Sequence, residues 1–161
     1  LVVVNKIDLT AQEALEALVE KWRATLPDAH LLLIPRTLEN LVKNGRAPKL
    51  AGQLTQMLNI RLAVSPEWKS GEIKAIKKGR GAKRIVANTM ADCLAFLDEH
   101  PGSSVRVLTT GAAEEQELVN EALAGQDYVD AGTGPIGCTI ATHVGVDAIA
   151  ISYCPRYQPT R

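Results

Sequence analysis

Apolar positions along the chain recur with two periods, and the switches between them mark out short strands and amphipathic helices. Leu1 to Val4 is a β-branched run that reads as a buried strand. After it, Thr10 is placed to cap a helix with Glu13 at its third position, and Ala14, Leu15, Leu18, Val19 and Trp22 recur at helical spacing until Pro27. His30 to Ile34 is a second strand, so the opening third predicts a βαβ unit. Thr37 to Arg46 predicts a short capped helix ending at Asn44-Gly45, and Leu50, Leu54, Met57 and Leu58 predict a second amphipathic helix. Ile60 to Val64 reads as a strand. Pro66 to Gly71 supplies the turn of a hairpin, whose return strand carries Ile73 and Ile76 with one wet face. Ile85, Val86, Met90, Leu94 and Leu97 predict a helix through Glu99, stopped by His100-Pro101-Gly102. Val105 to Leu108, Tyr128-Val129 and Ala148 to Ile151 are strand-like, and Ala113 to Leu123 is a strongly charged amphipathic helix. Strands alternating with helices in this way predict an α/β fold.

Between the last two strands the pattern gives way to tight backbone. Gly132, Gly134 and Gly137 allow close approach, and Pro135 has its φ preset for a first helical turn, so the segment predicts a loop opening into a short helix. Gly145 is its natural stop, which puts His143 in the last turn with Thr139 and Thr142 close by. A histidine so placed is either a ligand-facing polar group or a buried or capping one. The most basic window holds Lys77, Lys78, Arg80, Lys83 and Arg84 in front of a helix. It reads as an anion-attracting corner at the positive end of a helix dipole, or as a solvated face.

Composition narrows the classes. The chain has 161 residues, room for one ordinary domain. Lys plus Arg and Asp plus Glu are 18 each, so no net charge draws it to nucleic acid or to an anionic membrane surface. The three cysteines, Cys93, Cys138 and Cys154, form no CxxC pair and stand near no histidine at zinc spacing. That argues against a disulfide framework or structural metal and for a reducing cytoplasm. The longest apolar run is too short for a membrane span, and the signal-peptide pattern is missing from the start. A first residue Leu1 suggests a fragment of a longer parent, and the turn-rich stretch from Cys154 to Arg161 suggests a frayed tail. No serine or cysteine has an evident base, so the sequence predicts neither an enzyme nor a cofactor.

Two resemblances follow from motifs. Asn5-Lys6-Ile7-Asp8 after an apolar strand resembles the guanine-reading motif of small GTPases. That family also needs a glycine-rich phosphate loop, which this sequence lacks, and Pro35-Arg36-Thr37 stands where a Ser-Ala-Lys-like segment is expected. Residues 37–153 resemble the DegV family of bacterial fatty-acid-binding proteins through three motifs in order. These are Thr37-Leu38-Glu39-Asn40-Leu41 running to Lys43, Gly45 and Arg46; Gly79-Arg80-Gly81 with Lys83; and Gly137 with Thr142-His143-Val144-Gly145.

The DegV resemblance implies a C-terminal lipid-binding domain over residues 36–153, a two-layer mixed β-sheet with helices on one face, after a less well matched segment 1–35. It implies a long-chain fatty acid held between this domain and a missing N-terminal DegV domain, and presented to a fatty acid kinase. His143, with Thr142, Arg46 and Arg80, would hold the carboxylate, and Arg46, Arg80, Lys83 and Arg84 would dock the kinase. The family's usual Pro-Gly after His-Val-Gly is Val146-Asp147 here, which sets a carboxylate near the expected head-group site. The competing readings are a fragment of a GTP-binding protein built on Asn5 to Asp8 and an interaction domain without ligand.

Overall fold

The apolar run Leu31–Ile34 supplies the strand on which the sheet is built. It belongs to β1 (His30–Ile34), which pairs with β2 (Ile60–Pro66) on one side and β6 (Ile149–Cys154) on the other. The computed structural model describes residues 28–53, 59–67 and 72–156. The strand and helix expected before Pro27, and the Asn5-Lys6-Ile7-Asp8 motif, lie outside them.

Among the described residues six strands form one mixed sheet in the order β3-β2-β1-β6-β4-β5, with β3 at Ile73–Arg80, β4 at Ser103–Thr109 and β5 at Tyr128–Pro135. The pairings make β1, β3, β4 and β5 run one way and β2 and β6 the other. The connections are α1 (Glu39–Lys43), a 3-10 segment at Pro48–Gln53, α2 (Gly81–Glu99), α3 (Ala113–Leu123) and α4 (Cys138–Val144). Among the described residues no helix is long and apolar enough to cross a membrane.

The twofold period of the strands sorts their side chains onto two faces. Leu32, Ile34, Val105, Val107, Ile149, Ile151 and Tyr153 point to one face and meet Ile85, Val86, Met90, Cys93 and Leu97 of α2 and Val119 and Leu123 of α3 in the main core. Each large aliphatic side chain buried there contributes about 1.5–3 kcal/mol. Burial pushes the Cys93 thiol up to about 12, so it is packing material and not a nucleophile. The two long helices thus share one face, while the short α1 and α4 lie on the other, so the expectation of helices on one face holds for the long helices alone. The opposite face carries a smaller cluster, in which Leu33, Val64 and Ala150 meet Leu41, Leu50, Ile136 and Val144 from α1, the 3-10 segment and the region of α4.

Several expectations need correction. The helix expected from Leu50 is 3-10 over Pro48–Gln53, and residues 54–58 lie outside the described part. The strand through Ile73 and Ile76 continues to Arg80, so Lys77, Lys78 and Arg80 belong to an edge strand and only Lys83 and Arg84 begin a helix. A lysine-rich edge resists pairing with another chain, which is the simpler reason for so many cations there. Pro135 does not start a helix. It ends β5, an edge strand in which its missing N–H costs no ladder bond. β1, from the expected segment 1–35, lies inside the sheet, and Cys154, expected in the tail, is the last residue of β6.

Candidate functional site

The sheet register collects the candidate residues at one end. The ends of β1, β3, β4 and β5, at Ile34, Arg80, Thr109 and Pro135, lie together with the starts of β2 and β6 at Ile60 and Ile149. α4 crosses this end between β5 and β6. It starts after Gly137 and stops at Gly145, whose φ of 78° an L-residue adopts with strain. A Cβ at Gly145 would also stand 2.6 Å from Asn40 Nδ2, so α1 and α4 meet closely at this glycine. One turn further along α1, Asn44 Nδ2 donates to the Thr142 carbonyl at 3.2 Å. The same short loop passes through Gly45, at φ 66°, to the exposed Arg46.

His143 is half-buried in the last turn of α4, and its Nδ1 is buried without a hydrogen-bond partner among the described residues. Thr142 is exposed and donates its Oγ1 to the Thr139 carbonyl at 2.8 Å. Arg80 pairs in register with Ile60, and Lys78 with Leu62, which belongs to the smaller cluster. Arg80 therefore points to the face that carries α1 and α4, at the end where His143 lies. Lys83 and Arg84 are exposed on the first turn of α2, over the other face. The register thus turns His143, Thr142, Arg46 and Arg80 toward one face at one end of the sheet, with β2 and β1 between the strand of Arg80 and β6, and sets Lys83 and Arg84 across the sheet rim. Among the described residues Arg46, Arg80, Lys83 and Arg84 form no ion pair, whereas Lys77 is paired with Asp92 at 2.9 Å.

Thr110 was not singled out from the sequence, yet it anchors the histidine loop. Its Oγ1 donates to the Gly145 carbonyl at 2.8 Å and accepts from Ala148 N at 2.9 Å, and its backbone carbonyl accepts from Asp147 N at 3.3 Å. Thr109 Oγ1 meanwhile accepts from Gly111 N and Ala112 N ahead of α3. The run Thr109-Thr110-Gly111 after an apolar strand and before an acidic helix was the available signal, since hydroxyls there bond local backbone. Thr110→Val keeps the shape and removes both hydroxyl bonds, leaving two backbone groups unpartnered. We expect a loss of about 2 kcal/mol by urea denaturation and faster amide exchange at Ala148, with an unchanged midpoint arguing against the anchor.

A separate open groove of about 550 Å³ lies at the opposite end of the sheet, over the main-core face. It is lined by His30, Phe96, Asp92 and Tyr153, with the His30 ring stacked on Tyr153 at 4.8 Å. It shares no residue with the His143 end.

The comparisons with known proteins bear on the whole arrangement. A family model described as an uncharacterised protein of the DegV family matches residues 3–156. This chain belongs to the DegV family. The match takes in Asn5 to Asp8, and nothing in these comparisons supports the GTPase resemblance. A DegV domain-containing protein of Streptococcus pneumoniae is 30% identical over 145 residues, covering 88% of this chain and 50% of that relative. A DegV family protein of Thermus thermophilus, whose structure is named for fatty acid binding, superposes with a TM-score of 0.70 at 22% identity, covering 92% of this chain and 52% of that one. The fatty acid kinase B3 protein of Streptococcus pneumoniae, loaded with linoleic acid, gives 0.66 at 23% identity over 86% and 49%. These likenesses establish the DegV fold, a mixed α/β sheet with helices. The chain spans about half the length of the curated relatives it matches.

Proposed function

We propose that this chain binds a long-chain fatty acid without catalysing a reaction on it, and that it does so as the C-terminal half of a carrier that presents the acyl carboxylate to a fatty acid kinase. The half-buried His143, supported by Thr142, Arg46 and Arg80, holds the carboxylate at the sheet end. Arg46, Arg80, Lys83 and Arg84 form the rim against which the kinase docks. An N-terminal DegV domain provides the other wall of the acyl tunnel, which suits a chain that covers half of its relatives. The cytoplasm, where acyl ligand and kinase meet, is the compartment this role requires.

One observation supports the reading above the others. The His143 end offers a half-buried imidazole and, on the same face, two exposed arginines without counter-ions among the described residues. A carboxylate satisfies such a set, because charge-assisted hydrogen bonds are about twice as strong as neutral ones. The test is oleate binding by the natural full-length protein, read by displacement of a fluorescent fatty acid. Losing a hydrogen bond to a charged group costs about 1.5–3 kcal/mol, so His143→Ala should weaken oleate about ten- to a hundredfold. Equal affinity in the variant would remove His143 from the site.

A further inference from the structure

Two separately braced pieces of backbone meet where α1 approaches α4. Arg46 N and Ala47 N both donate to the Leu41 carbonyl, at 2.8 and 3.0 Å, and Gly45 N donates to the Val42 carbonyl at 3.0 Å, so the turn that carries Arg46 moves with α1. The end of α4 is braced from elsewhere. Gly145 N donates to the Ala141 carbonyl at 2.8 Å and Thr110 Oγ1 to the Gly145 carbonyl, which ties the turn of His143 to the residue that follows β4.

Among the described residues one hydrogen bond joins these two pieces, from Asn44 Nδ2 to the Thr142 carbonyl at 3.2 Å. That carbonyl lies in the last turn of α4, where a helix leaves its acceptors without intrahelical donors. Asn44 is exposed and its φ is −85°, so neither burial nor a left-handed backbone accounts for an amide at this position. Its one contact of consequence is the bond across to α4. Beneath it, Leu41 and Val144 belong to the smaller apolar cluster, but apolar contact is non-directional and leaves one element free to slide along the other, whereas a hydrogen bond fixes distance and angle. The bond runs from the residue two before Arg46 to the residue just before His143. It therefore sets the spacing between an exposed guanidinium and a half-buried imidazole that stand on different elements.

We propose that Asn44 is a positioning residue of the head-group site, a reading that rests on the function proposed above. Its amide holds the Arg46 turn against α4, so that Arg46 meets a carboxylate already placed at His143. The gain is pre-organisation, because a guanidinium that must be gathered at the moment of binding spends part of its attraction on being ordered. A purely structural role would make Asn44 a cap for α4, and its loss would then lower stability and act on every ligand alike.

The experiment measures oleate and oleyl alcohol binding at pH 8, by displacement of a fluorescent fatty acid, in the natural full-length protein and in its Asn44→Ala, Asn44→Leu, Arg46→Ala and Asn44→Ala/Arg46→Ala variants. Position 44 is exposed with an ordinary backbone, so both of its substitutions leave the fold intact. Oleate should weaken about three- to tenfold in Asn44→Ala and equally in the similarly sized Asn44→Leu, while oleyl alcohol, whose head has no charge for Arg46 to pair, stays within about twofold of the parent. The double variant should bind oleate as Arg46→Ala does, within about twofold, since a clamp with no guanidinium to place contributes nothing. Additive losses, a parallel weakening of both ligands, or a lowered unfolding midpoint with oleate unchanged would overturn the proposal and leave Asn44 a cap. If the natural protein takes up neither lipid, the carrier reading falls and takes this one with it; tight oleate binding by the parent that Asn44→Ala retains in full overturns the clamp alone.

Discussion

Replacing Glu115 by alanine is expected to destabilise the fold by about 3–5 kcal/mol, because it strands a buried guanidinium. Arg61 enters from β2 and Glu115 from the first turn of α3, and they pair Nη1 to Oε1 with side chains only 9% and 4% exposed. Arg61 Nε and Nη2 are already buried without acceptors, so Glu115 is the sole counter-charge the guanidinium has among the described residues. Removing it leaves a cation in a low-dielectric site with nothing to offset its lost hydration. Urea denaturation should show the drop, and Arg61→Met/Glu115→Leu should recover most of it, since an apolar pair replaces a buried ion pair at little cost. Breaking the exposed Lys43–Glu39 pair by Glu39→Ala should scarcely move the midpoint. A loss below about 1 kcal/mol in Glu115→Ala would mean that water reaches Arg61.

The second large effect is expected at Gly79, where β3 passes under α2. A Cβ at this position would stand 2.6 Å from Ile85 N and 2.7 Å from Ile85 Cα, both backbone atoms of the helix. A side-chain neighbour could rotate away, but here the first turn of α2 must lift from the sheet. Lifting it opens the contacts of Ile85 and Val86, which are 0% and 2% exposed. Gly79→Ala should therefore cost about 3 kcal/mol by overpacking, against a fraction of that for Gly→Ala at an open, unstrained surface position. Thermal unfolding of both the variant and Gly79→Ser would check it. A midpoint within 1 °C of the parent would show that the helix is not seated as described, since 1 kcal/mol moves Tm by about 2–8 °C.

Gly79 and Glu115 also show where a sequence stops being readable. Nothing local to Gly79 distinguishes it from a turn glycine, and the reason for it is a helix backbone that reaches the strand only when the sheet is assembled. Arg61 and Glu115 lie 54 residues apart and each reads as an ordinary surface charge until β2 and α3 are brought together. Pro135 misled for a related reason. Its fixed φ suits a first helical turn as well as an edge strand, and only the sheet order makes β5 an edge. Thr110 sits in an ordinary strand end, and its two loop partners, Gly145 and Ala148, come from 35 and 38 residues downstream.

What the sequence by itself determined is local. The apolar run His30–Ile34 became β1 with the same bounds, the apolar spacing of residues 113–123 became α3, and Gly145 took the positive φ that ends α4 beneath His143. These follow from side-chain period and backbone sterics, which act over a few residues and are written in their order. The tertiary structure alone decided that Arg80 turns toward the face that carries α1 and α4, that Lys77 is neutralised by Asp92, and that Thr110 fixes the loop carrying Asp147. Each of these depends on sheet register and strand order, and those are set by how the whole chain buries its apolar faces, a sum over distant residues that no single stretch records.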